Sequence, residues 1–225
     1  AGSVEAWRHE LHRQSIGRAQ RACAELGIPL SRNAWRLRRF HNLHRGRRCV
    51  VIGNGPSLNK CDLARLKDEF TFGVNAIYLN YEKMGFHPTY YVVEDRFVAQ
   101  DRANEIKAYR GPRAKFFGKY LAPWLGGAVD AVWLDVDPSY HYANSGDFRF
   151  STRADRIVYV GGTVTFLSLQ LAYYMGFSEV YMIGFDHHYT VPKEDMVNST
   201  DIHSSQDDPN HFHPSYFGKG KRWHH

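Results

Sequence analysis

Residues 49–63 read CVVIGNGPSLNKCDL, and this stretch decides the fold. Cys49 to Ile52 is an uninterrupted apolar run with the length and branched side chains of a buried strand. Gly53-Asn54-Gly55-Pro56-Ser57 then turns the chain, and a short amphipathic stretch follows. A buried strand running through a glycine turn into a helix is the opening unit of an α/β fold. Pro56 suits a first helical position, and turn amides beside the positive end of a helix dipole attract an anion.

Working outward, the same rhythm repeats. The pattern predicts strands at 49–53, 70–76, 89–94, 114–118, 130–135 and 178–185, and helices at 60–68, 95–109 and 163–175. Strands alternating with helices imply an α/β, Rossmann-like, mostly parallel sheet with helices on both faces. Two helices are also expected ahead of it, over 4–26 and 33–43, so residues 1–46 read as a basic helical arm and 47–225 as the main domain.

Ligands of such sheets bind beyond the carboxyl ends of the strands. That filter selects Gly53, Asn54, Gly55, Pro56 and Ser57, then Asn75, then Glu94, Asp95 and Arg96. It also selects the turn Gly161-Gly162-Thr163 and the run Asp186, His187, His188 and Tyr189. Residues 136–160, rich in aromatics, Ser and Asp, read as a lid loop; residues 190–225 are dense in His, Asp, Pro and Gly. No GxxxxGK[ST] phosphate loop occurs, and Leu58 stands where a dinucleotide fingerprint needs its third glycine.

Composition bounds the setting. The chain has 225 residues and 43% hydrophobic residues, enough for one α/β domain with a core. No apolar run reaches the roughly 18 residues of a membrane span, and the opening AGSVEAWRHELHRQ lacks a signal-peptide apolar region. Cys23, Cys49 and Cys61 form no CxxC pair, so a reduced, cytoplasmic setting is expected. Residues 1–48 hold eleven arginines against three glutamates, a net +8, while the rest of the chain is slightly acidic. The arm is therefore a solvated helix or a contact for an anionic membrane surface, with nucleic acid the weaker reading.

Metal chemistry finds little support. Asp135-Val136-Asp137 resembles a DxD metal pair but reads better as solvated acids at a strand end. His203, His211, His213, His224 and His225 show no zinc-type spacing, though one of them suits a general base.

Three segments carry a resemblance: VVIGNGPSL (50–58), FGVNAIY (72–78) and GGTVTFLSLQLAYYMGFSEVYMIGFD (161–186). They resemble bacterial sialyltransferases that transfer from a CMP-activated sugar to lipooligosaccharide. With YYVVED (90–95) and DPNHFHPSYFGKGKRW (208–223), the chain also resembles a wider group. That group includes motility-associated nonulosonate transferases and archaeal 6-hydroxymethylpterin diphosphokinase. The resemblance implies a metal-independent glycosyltransferase moving an acidic, sialic-acid-like or Kdo-like sugar from CMP to a saccharide or glycolipid acceptor. It implies that Asn54 and Asn75 hold the phosphate and ribose and that Gly162 and Thr163 line the same site. A tail histidine, His211 or His213 with His224 as a third candidate, would be the base, with His188 and Tyr189 near the leaving group; His188 and Val164 depart from the family's tyrosine and serine. The alternatives are a pterin diphosphokinase using ATP and magnesium on Glu94, Asp95 and Asp186, and a non-catalytic nucleotide-binding domain.

Overall fold

The computed structural model describes residues 32–137, 149–188 and 201–224, together with Ala22, Leu26, Ile28 and Thr190. The helix expected over 4–26 lies almost wholly outside them, as does the middle of the expected lid.

The protein is an α/β, Rossmann-like domain. Six strands, β1 (Arg48–Ile52), β2 (Phe70–Val74), β3 (Tyr90–Val93), β4 (Ala114–Gly118), β5 (Ala131–Leu134) and β8 (Glu179–Ile183), form one parallel sheet in the order β5-β4-β3-β2-β1-β8. The chain builds outward from β1 to β5, then returns to add β8 on the other side of β1. The order therefore reverses at β1, and a crevice opens at such a switch point. The six expected strands are all present.

Alternation along the strands explains why both faces are covered. Cys49 and Val51 pack on one side with α6 (Val164–Tyr174), where Leu167, Leu171 and Tyr174 are buried. Val50 and Ile52 pack on the other with α2 (Tyr81–Met84), α3 (Arg96–Asp101), α4 (Ala103–Ala108) and α5 (Ala122–Leu125). Fully burying each such Val, Ile or Leu contributes about 1.5–3 kcal/mol.

The segment before β1 is docked on this sheet. In α1 (Arg32–Arg38), Asn33 clamps the edge strand: its Nδ2 donates to Trp133 O at 2.7 Å and its Oδ1 accepts from Trp133 N at 2.8 Å. The side chain thus occupies ladder groups that a bare edge would expose. Leu37 is buried, and His44 lies 2.6 Å from the Tyr90 hydroxyl while stacked on Phe177.

Three expected helices differ. The one expected over 33–43 ends at Arg38 and the chain continues in turns. The one expected over 60–68 is a pair of 3₁₀ turns, Pro56–Lys60 and Leu63–Leu66, because Cys61 is extended (φ −91°, ψ 140°) and Asp62 also leaves the helical region. The one expected over 95–109 breaks at Arg102 (φ −127°), whose buried guanidinium donates to Glu105 and to the carbonyls of Ser215 and Tyr216. Of the expected lid, 138–148 lies outside the described residues. Its flanks pair as β6 (Val136–Asp137) and β7 (Val158–Tyr159), and the buried Gln170 side chain bonds Ser151 N, Tyr159 N and Tyr159 O. The C-terminal segment returns as β9 (Asp201–His203) antiparallel to β10 (Arg222–His224).

Candidate functional site

The carboxyl ends of β1, β2, β3 and β8, the start of α6 and the loop 208–217 enclose a cavity of about 790 Å³. Gly53, Asn54 and Gly55 line it from β1, Asn75 from β2, and Glu94, Asp95 and Arg96 from β3. Gly162 lines it beside α6, and Asp186, His187 and His188 line it after β8. Asn75 and His187 have positive φ, 49° and 50°, a conformation uncommon outside glycine and found where the surrounding structure enforces it.

The first turn is built differently from a phosphate cradle. Gly53 N donates to Ile183 O and Gly55 N to Gly184 O, both at 2.8 Å. Ser57 N donates to Asp186 Oδ2 at 2.8 Å. A carboxylate of the protein therefore already sits where an anion was expected, and Ser57 holds that carboxyl below its ordinary range. The glycines serve close packing. A Cβ at Gly53 would lie 2.4 Å from Gly184 O, and one at Gly55 would lie 2.3 Å from Asp186 Oδ2. Pro56 and Ser57 sit behind the cavity wall in the 3₁₀ turn.

Asn54 is 9% exposed. Its Nδ2 donates to Val74 O at 3.2 Å and to the Tyr216 hydroxyl at 3.1 Å, which fixes the amide's orientation because Val74 O needs a donor. Its Oδ1 is buried without a hydrogen-bond partner, and so is Asn75 Oδ1. Two orphaned amide oxygens at neighbouring strand ends call for hydroxyl or amino donors, since a phosphate cannot satisfy them.

On the β3 side, Asp95 caps α3: its Oδ1 accepts from Phe97 N at 2.6 Å and Val98 N at 3.1 Å. Burial, with the Asp95 charge adding, pushes the Glu94 carboxyl up to about 7, although the Tyr120 hydroxyl works in the opposite sense. At α6, Thr163 is the N-cap, its hydroxyl oxygen accepting from Thr165 N at 3.3 Å. Gly161 stands against Phe166, with room for no Cβ.

The tail histidines separate cleanly. His211 lines the cavity; its Nδ1 lies 2.7 Å from Asp208 Oδ2, with side chains only 11% and 2% exposed. The ring stacks on Tyr216 at 4.0 Å and 1°. Burial opposes the Asp208 charge, but the His211 ring and the N–H groups of Asn210 and Phe217 outweigh it and hold the carboxyl below its ordinary range. Nδ1 faces that carboxylate, which sets the orientation of the ring in the cavity wall. His213 is not part of the cavity wall; its Nδ1 takes Ser215 N and Oγ, at 3.2 and 2.8 Å. His203 and His224 lie in β9 and β10, whereas Tyr189 and His225 are outside the described residues.

Asp208, Tyr216 and Tyr120 were not singled out from the sequence. Asp208 stands three residues before His211, and Tyr120 follows the end of β4, where the strand-end filter would have found it. In the Asp135-Val136-Asp137 pair, Lys119 Nζ lies 2.6 Å from both carboxylate oxygens of Asp135. Among the described residues, no three His, Cys, Asp or Glu side chains converge at metal-holding distance. No described helix is long and apolar enough to cross a membrane.

Compared with known proteins, residues 30–192 match a family described as MptE-like (6-hydroxymethylpterin diphosphokinase MptE-like). No curated protein matches the chain. Among solved structures it is similar to a MAf glycosyltransferase from Magnetospirillum magneticum AMB-1, with 16% identity and a TM-score of 0.40. That match covers 79% of this chain and 31% of the other, so this chain spans less than a third of that protein's length.

Proposed function

The chain belongs to the MptE-like family, and from that premise we propose that it is a metal-independent glycosyltransferase using a CMP-linked acidic sugar. The observation that carries this reading is the His211–Asp208 pair facing the strand-end cavity. His211 Nε2 takes the proton of an acceptor hydroxyl, and Asp208 steadies the imidazolium that forms. The acceptor oxygen bonds to the anomeric carbon as the bond from that carbon to the phosphate oxygen breaks, and CMP leaves with the electron pair. Arg96, His187, His188 and the N-terminus of α6 are the groups at the cavity suited to the departing phosphate. The orphaned oxygens of Asn54 and Asn75 suit the donors of a nucleoside, ribose hydroxyls or the base amino group. This assigns the two asparagines to the nucleoside and moves the phosphate toward α6 and β8. The acceptor on this reading is a saccharide or glycolipid.

The family description itself favours a second reading, transfer of diphosphate from ATP to a pterin. Magnesium on Glu94, Asp95 and Asp186 finds less support: Asp95 Oδ1 caps α3, Asp186 Oδ2 accepts from Ser57 N, and among the described residues no three such groups converge.

A thermal-shift panel tests the pair. Stabilisation by CMP without metal is expected, about 2.7 kcal/mol at one hundred times its Kd. A shift with ATP and magnesium but none with CMP would transfer the assignment to the diphosphokinase. Binding of CMP with no CMP release from any CMP-sugar, in the presence of sugar acceptors, would instead leave a nucleotide-binding module.

A further inference from the structure

The segment ahead of β1 holds chemistry that the cavity does not use. From residue 26 to residue 48 the chain has seven arginines and no Asp or Glu. All seven, Arg32 to Arg48, are exposed. Of the nearby acids, Glu69 pairs with Arg48 itself at 2.5 Å, Asp155 pairs with Arg153 at 2.7 Å, and Glu179 lies beside Arg48.

In α1, Leu37 turns inward, while Asn33 and Arg36 hold the β5 backbone. Arg32, Trp35, Arg38 and Arg39 then fall on the outward stripe by helical spacing. Trp35 is 59% exposed, with the Arg38 guanidinium 5.8 Å from its ring centroid, and Leu43 beyond the helix is 54% exposed.

We propose that this outward face docks on a bilayer carrying anionic headgroups. Arg32, Arg38, Arg39 and Arg45 face lipid phosphates, and Trp35 and Leu43 enter the headgroup boundary. Trp is the side chain whose amphipathic ring favours that boundary. Nucleic acid is the poorer occupant. A strand-binding surface offers successive aromatic platforms; this face offers one Trp beside an aliphatic Leu43.

The test is sedimentation with phosphatidylcholine vesicles, with and without phosphatidylglycerol. Binding is expected only with the anionic lipid and is expected to fall as salt rises. Each basic residue lost costs roughly fivefold in partition, so the Arg38→Glu/Arg39→Glu double variant should bind at least about twentyfold more weakly. Arg45→Glu, outside any helix, should weaken binding about fivefold and keeps the test open if the double variant misfolds. Vesicle binding should blue-shift the Trp emission in the parent protein and not in Trp35→Ala. Free glycerol phosphate should not compete, which separates a bilayer from a soluble phosphate. Equal binding to neutral vesicles, unchanged partition of both charge variants, or tighter arm-dependent binding to an RNA oligonucleotide than to anionic vesicles overturns the proposal.

Discussion

Two regions meet at the cavity and were built by opposite routes. The turn 53–57 is contiguous and rich in local signal, yet three of its N–H groups bond within the protein, two to carbonyls and one to the Asp186 carboxylate. The loop 208–217 has weak local signal, yet it presents a buried Asp–His pair stacked on a fully buried tyrosine. A glycine turn announces that something approaches closely, and here the approaching group is β8's own backbone. A histidine announces nothing until its partner is known, and here the partner is Asp208. On the proposed function the proton transfer lives in the loop, while the turn packs against the end of β8 and lends Asn54 to the nucleoside.

The largest expected effect follows from that division. His211→Phe, which keeps a ring against Tyr216, should lower kcat by about 10²- to 10⁴-fold with nucleotide affinity nearly unchanged. Asp208→Asn should lower kcat too, whereas His213→Ala should leave it intact. Rates measured on a CMP-sugar donor decide it; an active His211→Phe would return the base to another side chain and dissolve the contrast between the regions.

The reverse test falls on the turn. Gly53→Ala places a Cβ 2.4 Å from the Gly184 carbonyl oxygen, a backbone atom that cannot swing aside. A loss of about 3 kcal/mol is expected, or roughly 6–12 °C in melting temperature for a chain of this size. A melting temperature equal to the parent's would mean that the glycine is there for a ligand after all.

These outcomes bear on what the sequence could disclose. Central strands were legible because buried parallel strands read as apolar runs, such as Cys49–Ile52 and Tyr90–Val93, whereas the exposed edge strand β8 was legible from its branched and aromatic residues, EVYMI. Strand-end residues were legible by the same token, since topology alone sends Asn75 and Glu94 to one edge. What failed to show was anything set by long-range partners. Nothing near Arg102 says that its helix breaks to reach carbonyls 113 and 114 residues away. Nothing near His211 says that it, and not His213, faces the cavity, because both sit in one HFH run.

Glu94 sharpens the comparison by pH, since it belongs to neither region. Its folded-state value is raised to about 7, so between the unfolded carboxylate range and that value the folded protein binds the extra proton. The stability this contributes is complete below about pH 4 and is lost as pH rises through 7. Glu94→Gln should therefore melt like the parent near pH 4.5 and be more stable at pH 8 by about 3 kcal/mol. A constant difference at all pH values would mean that the carboxyl titrates normally.

The smallest expected effect tests the seam between the regions. Phe212 N donates to Asn54 O at 2.8 Å, and Asn59 Nδ2 donates to Phe212 O at 2.9 Å, so the residue beside His211 is tied to both ends of the turn. Asn59→Ala removes one tie and should cost about 1 kcal/mol, a drop of roughly 2–4 °C. If the turn is scaffold and the loop is chemistry, that modest loss should come with a fall in kcat and little change in nucleotide affinity, because the imidazole is displaced and the nucleoside contacts are not. A variant that instead weakened CMP binding and kept kcat would mean that this tie serves the nucleoside contact of Asn54 and not the placing of His211, and the division of labour would have to be redrawn.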